Sequence, residues 1–182
     1  ETRVGQPIGG FYLYRTDGIF QNMNEVNAHT NSNGGLIQPN AQPGDIRFKD
    51  LNGDGKISDA DKEYCGSGIP SLEANFNLSA SYKGFDFSAV IGSAWNYKLY
   101  NGNKYFYEGM NSKSNMLKST LDAWTPQNTN TNVPRAVYQD PNGNMKESDR
   151  FLENGDFVRL RQVQLGYTLP KSLLQSMHID KL

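Results

Sequence analysis

Residues 72–82 read L-E-A-N-F-N-L-S-A-S-Y. Leu72, Ala74, Phe76, Leu78, Ala80 and Tyr82 fall on one face of an extended chain, and Glu73, Asn75, Asn77, Ser79 and Ser81 on the other. Strict alternation of this length is a strand signal, because successive side chains of a strand point to opposite faces. Lys83-Gly84 follows as a two-residue turn, and F-D-F-S-A-V-I-G-S-A-W (85–95) repeats the alternation. A two-residue loop pairs Tyr82 with Phe85. The same register then pairs Ala80 with Phe87, Leu78 with Ala89, Phe76 with Ile91 and Leu72 with Trp95. The apolar faces coincide along the whole hairpin, as a specified register requires.

Each strand spans about 36 Å, or about 25 Å when tilted, which is the height of an outer-membrane barrel's apolar band. Tyr82, Phe85 and Phe87 lie near the turn and Trp95 and Tyr97 at the far end, where aromatic girdles would sit. A soluble sandwich that packs this face on a second sheet produces the same pattern, and periodicity alone leaves both open. A third strand is expected over 151–169. Val163, Leu165, Tyr167 and Leu169 share a face there, but upstream Val158 and Leu160 are out of phase with them. A bulge near Arg161 would reset the phase; otherwise that half projects beyond a bilayer.

The rest of the chain is polar. Lys and Arg total 18 against 19 Asp and Glu, so no basic surface points to nucleic acid. Ten tyrosines and 12% aromatics with only 36% hydrophobic residues suit strands and long polar loops rather than helix bundles. Cys65 is the single cysteine and forms no disulfide within the chain. No run of about 18 apolar residues exists, which excludes a transmembrane helix but not a transmembrane barrel. A short extended segment is expected at 10–20 and a loop at 21–45. Within the long connection 96–150, one short helix is expected over 116–124. Ser114 would cap it, Leu117, Leu121 and Trp124 would share a face, and Thr125-Pro126 would end it.

One loop stands apart. D-L-N-G-D-G-K-I-S-D-A-D (50–61) has the spacing of an EF-hand-type calcium loop. Asp50, Asn52, Asp54, the Lys56 carbonyl, Ser58 and Asp61 are the candidate ligands, with Gly55 at the sharp turn and Ile57 as an apolar anchor. Three carboxylates this close repel one another without a cation, and Ca2+ takes six to eight oxygens. Asp61 stands where a bidentate Glu is usual, which shortens the reach of that ligand. The competing reading is a metal-free Asn/Asp/Gly turn.

Five stretches together carry a resemblance. They are G-Q-P-I-G-G-F-Y-L-Y-R-T-D-G-I-F-Q (5–21), P-G-D-I-R-F-K-D-L-N-G-D-G-K-I-S-D-A-D (43–61), S-Y-K-G-F-D-F-S (81–88), L-D-A-W-T-P-Q-N-T-N (121–130) and F-L-E-N-G-D-F-V-R-L-R-Q-V-Q-L-G-Y-T-L-P (151–170). In this order they resemble the SusC/RagA family of TonB-linked (TonB-dependent) outer-membrane proteins of Bacteroidetes. The resemblance implies a mainly β fold: antiparallel strands from a C-terminal part of a transmembrane β-barrel with long extracellular loops. It divides the chain into an extracellular loop region (1–71) with the calcium-type loop, a β-hairpin (72–95), a long extracellular loop (96–150), a strand (151–169) and a periplasmic turn segment (170–182). It implies import of glycans, peptides or other large nutrients with a SusD-like lipoprotein and TonB, in contact with outer-membrane lipid. The plug and TonB-contacting segment are expected outside these residues, so the fragment alone would not transport. Its open strand edges would favour self-association. The calcium would be a structural clip rather than a sensor.

Tyr12, Tyr14, Tyr105, Tyr107 and Trp124 are candidate sugar-stacking residues, although packing explains each as well. The alternative is a secreted, soluble, calcium-stabilised carbohydrate-binding or dockerin-like module. A dockerin needs a second loop copy and flanking helices, and neither is visible. No enzyme is expected: His29 and His178 lack carboxylate partners by pattern, and no nucleophile, phosphate-loop or zinc motif occurs.

Overall fold

The computed structural model describes residues 3–110, 115–170 and 174. In chain order the elements are β1 (Tyr12–Tyr14), β2 (Thr16–Ile19), α1 (Met23–Ala28), β3 (Ile46–Phe48) and β4 (Lys62–Tyr64). Then come β5 (Leu72–Tyr82), β6 (Phe85–Trp95), β7 (Lys98–Tyr100), α2 (Gly102–Tyr107), β8 (Leu152–Asn154) and β9 (Phe157–Tyr167). They fall into two compact units, residues 1–68 with 98–154, and residues 69–97 with 155–182.

The second unit is an antiparallel sheet in the order β5-β6-β9. Lys83 and Gly84 both have positive φ, +46° and +86°, the backbone of a type I′ hairpin turn. The expected register holds at every position, from Tyr82 opposite Phe85 to Leu72 opposite Trp95. On the other side, Val90 pairs with Gln162 and Ile91 with Leu160, so Arg161 is the extra, bulged residue. That single insertion brings Val158 and Leu160 into phase with Val163, Leu165 and Tyr167, and one apolar face runs unbroken across the sheet. The face is open: Phe76 is 61% exposed and Leu165 72%. Phe85 and Tyr167 stack at the turn end with ring centroids 4.4 Å apart.

The strand expected over 151–169 is two strands. Gly155 breaks it, because the Tyr97 ring occupies the space a Cβ would fill, and Gly155 N–H donates to the Tyr97 carbonyl. The Asp156 carboxylate then accepts from the Asn96 N–H at 2.6 Å and ends the ladder.

The first unit is built from short pairs: β1 with β4, β2 with β3, and β7 with β8. Its apolar centre is small, comprising Tyr14, Ile19, Ile46, Phe48 and Trp124, with Ile57 against it. Phe20, Val26 and Ala41 form a second cluster. Side-chain amides complete the ordering. Asn144 accepts from the Ile46 N–H, Gln38 and Asn142 donate to the Ile46 carbonyl, and Gln38 accepts from the Phe48 N–H. The outer edge of β3 is therefore paired by side chains, which satisfies buried backbone groups no strand reaches. Beside it, Asp45 is fully buried. Arg135 forks onto both its oxygens at 2.7 and 3.1 Å, and Asn144 and the Gln42 N–H donate to it as well.

Two loop expectations change. The segment 21–45 contains helix α1, capped by Asn22, whose side chain accepts from the Glu25 N–H while Glu25 accepts from the Gln21 N–H. The helix expected over 116–124 is only a 3-10 turn at Lys118–Asp122. Of its apolar stripe only Trp124 is buried, while Leu121 is 84% exposed. Trp124 leaves the turn because its N–H donates to Val133. Ser114 and most of 170–182 lie outside the described residues.

Arg135→Met leaves the Asp45 carboxylate buried without its cation. Denaturant titration of the folded protein should show a loss of about 3 kcal/mol.

Candidate metal centre

The loop 50–61 is folded by its own side chains. Asp50 accepts from the Gly53 and Gly55 N–H groups at 2.7 and 2.8 Å. Asn52 accepts from the Asp54 N–H, and Asp54 from the Lys56 N–H. Gly55 has φ +83°, and a Cβ there would strike the Asn31 side chain. Ile57 sits against the apolar centre and anchors the far side. Ser58 caps a 3-10 turn at Asp59–Asp61, with Asp61 returning the bond to the Ser58 N–H at 2.7 Å.

Asp61 is fully buried. One of its oxygens accepts from the Leu51 and Asn52 N–H groups at 2.9 and 3.3 Å; the other also takes the Ser58 hydroxyl at 3.4 Å. Burial pushes the Asp61 carboxyl up, but the N–H donors of Ser58, Asn52 and Leu51 outweigh it and hold it below the ordinary carboxylate range. One carboxylate oxygen from each of Asp50, Asp54 and Asp61 lies within 4.8 Å of the others. Among the described residues, no ion pair reaches any of the three.

The neighbouring Asp59 faces elsewhere. Lys62 and the Tyr14 hydroxyl, which donates to it at 2.9 Å, hold its carboxyl below the ordinary range. Burial, then that bond and the surrounding carboxylates, pushes the Tyr14 phenol up to about 12.

Of the six candidate ligands, the structure thus gathers Asp50, Asp54 and Asp61 around one point, with Ser58 beside Asp61. Asn52 turns its side-chain oxygen to the Asp54 N–H. Asp61 already meets four donors, the usual capacity of a carboxylate. The residues fit a hard cation provided the two longest of those contacts yield to it. Spacing gave no sign of Asn31 or Tyr14 as supports of the loop.

The aromatic candidates are scattered. Trp124 is a core residue, 7% exposed, with its indole N–H donating to Gln21. Its face is not open to a sugar, and it packs on Gly44, which has φ +91° and no room for a Cβ. Tyr14 is likewise buried. Tyr105 packs edge-on against Phe106 and Phe151. Tyr12 stands against Tyr64 with the Arg3 guanidinium 4.2 Å above its ring. Tyr107 is 45% exposed, and its neighbour Phe106, not singled out from sequence, is more so.

No family model matches the chain. Individual relatives do. TonB-dependent receptor P3 of Formosa agariphila is 33% identical over 94% of this chain. The chain is a relative of the TonB-dependent receptors. Receptor P26 of the same organism is 32% identical over 92% of the chain, and the TonB-dependent receptor SusC of Bacteroides thetaiotaomicron 26% over 91%. A solved structure of the RagAB peptide importer in its closed-closed state shares the fold, with TM-score 0.62 and 24% identity, over 91% of this chain and 17% of that one. The chain spans only 14–20% of the length of the curated relatives it matches. These relatives are outer-membrane proteins, and the outer membrane is the location of this chain.

Asp61 has a lower pKa folded than unfolded, about 3.9 for a free aspartate. Its contribution to stability is therefore full above that value and is lost as pH falls through the folded one. Asp61→Asn should flatten this acid limb in chemical denaturation measured as a function of pH.

Proposed function

We propose that the chain is part of a SusC-like outer-membrane importer of glycans, peptides or other large nutrients. It works with a SusD-like surface lipoprotein and draws energy through TonB. The observation that carries this reading is the unbroken apolar face on three antiparallel strands of eleven residues each. A face of exposed Phe, Leu, Val and Tyr of that length suits lipid, and its Asn, Ser, Gln and Gly reverse suits a watery interior. The names of the relatives support transport, and none describes an enzyme. Deleting the full-length gene should abolish growth on one polymeric nutrient. Restoring the whole protein should restore growth. Unchanged growth and uptake across glycan and peptide sources would contradict the importer reading.

The same reading gives the loop 50–61 a structural task. Asp50, Asp54 and Asp61, with Asn52, Ser58 and the Lys56 carbonyl, would hold one Ca2+. The ion supplies the positive charge these carboxylates lack, and the loop ends come already folded by Asp50 and Ser58. In calorimetric titration, Ca2+ should bind stoichiometrically and raise the melting temperature, and Asp54→Ala should remove both effects. Absence of binding in the full-length protein would leave the loop an Asx-rich turn.

Among the described residues the sheet has two unpaired edges, β5 and β9, which neighbouring strands of a closed barrel would cover. Produced alone, the chain should associate through them. A sharp monomer by light scattering in detergent-free buffer would contradict this.

A further inference from the structure

The segment after helix α1 is held down at both ends and in its middle. At its start His29 ends the helix, its N–H donating to the Val26 carbonyl, and the His29 carbonyl accepts from the Ile37 N–H at 3.1 Å. At its far end Gln38 donates to the Ile46 carbonyl and accepts from the Phe48 N–H, both on β3. Between them Asn31 folds a turn by accepting from the Asn33 and Gly35 N–H groups. The Asn31 amide lies 2.4 Å from where a Cβ on Gly55 would stand, so it closes over the backbone of loop 50–61.

The His29 ring is the titratable part of this clamp. It stands edge-on to the fully buried Phe20, with ring centroids 5.5 Å apart. Its Nε2 is buried and, among the described residues, has no hydrogen-bond partner. The other ring nitrogen is left to meet the Phe48 backbone. This arrangement suits a neutral ring. A proton on Nε2 would make a buried, charged donor with no acceptor, which is costly. Burial first, then the Arg47 guanidinium of β3, pushes the ring below the ordinary histidine range. Arg47 also stands over the Phe20 ring, its Cζ 5.8 Å from the centroid. Asp17, Asp50 and the Phe48 backbone act the other way. Both acids are already engaged: Asp17 pairs with Arg47 at 2.9 Å, and Asp50 takes the Gly53 and Gly55 N–H groups. On the ring's own helix, Glu25 is turned to Gln21 and Asn22.

We propose that His29 is an acid-sensitive latch, whose protonation releases residues 29–38 from β3 and lifts Asn31 off Gly55. The ring takes up a proton at Nε2 only when it leaves Phe20 for water, so the segment opens to admit it. The open form uncovers the outer edge of β3, which Gln38 helps to pair, and removes the Asn31 cover from loop 50–61. The latch depends neither on the importer reading nor on a metal in the loop.

Opening binds a proton that the closed form refuses. The opening constant should therefore be flat above the free-histidine pKa of about 6.5. Below it the constant should rise about ten-fold per pH unit, until the closed ring itself titrates. Hydrogen exchange of the full-length protein in detergent measures this, read by peptide mass spectrometry across that pH range and corrected for the intrinsic rate. EDTA keeps cations off Asp50, whose charge bears on the ring. The expected result is that slope in peptides covering 29–38 and none in the hairpin 72–95. His29→Phe keeps an aromatic ring against Phe20 with nothing to titrate, and His29→Asn keeps a donor for the Phe48 backbone; either should flatten the slope. Protection of 29–38 that does not change with pH overturns the latch. So does a slope that survives in both variants, since another group then titrates, or one that the hairpin shares, since that is global unfolding. Where neither variant folds, the wild-type contrast between 29–38 and 72–95, with or without its onset at the free-histidine pKa, decides.

Discussion

Side chains of a strand change sides at every residue, and one extra residue reverses every side chain beyond it. In this chain the insertion at Arg161 is what keeps β9 in step with β5 and β6. Without it, Val158 and Leu160 would turn to the polar face while Arg159 and Arg161 took their places among Phe76, Ile91 and Leu78. With it, the sheet has one face that is apolar from end to end. Each large apolar side chain left in water forfeits about 1.5–3 kcal/mol. Under the proposed importer reading, lipid covers this face, and the length of the strands fits it.

The other unit solves a different problem. It has few aliphatic residues and short strands, so burial alone orders little of it. Polar side chains do much of the work instead. Asp45 and Arg135 tie residues far apart in sequence, and Gln38, Asn142 and Asn144 take the backbone bonds that a longer strand would have made. The same device recurs in the loop 50–61, where Asp50 and Asp61 collect backbone N–H groups. Such networks are stable only when every member is satisfied, which makes them sensitive to single substitutions.

What could be read from the sequence follows this division. The hairpin register and the bulge were legible because period-two alternation and a Lys-Gly turn act locally and leave one solution. The convergence of Asp50, Asp54 and Asp61 was legible from spacing. The loop region was not. Helix α1 buries only Val26, so it carries no apolar stripe to notice. The stripe at Leu117, Leu121 and Trp124 looked helical, but only Trp124 finds a core, and the backbone follows the tryptophan. Gly155 gave no warning of its role, since the ring that excludes a Cβ there comes from Tyr97, distant in sequence.

The most direct measurement is a nitroxide scan of residues 157–167 in the full-length protein in bilayers, comparing collision with oxygen in lipid and with a water-soluble relaxant. Lipid contact should alternate at Val158 and Leu160, skip two positions, and resume at Val163, Leu165 and Tyr167. Arg161 and Gln162 should both report water. Alternation that continues through Arg161 without the skip, or water contact at every position, would contradict a lipid-facing sheet phased by a bulge.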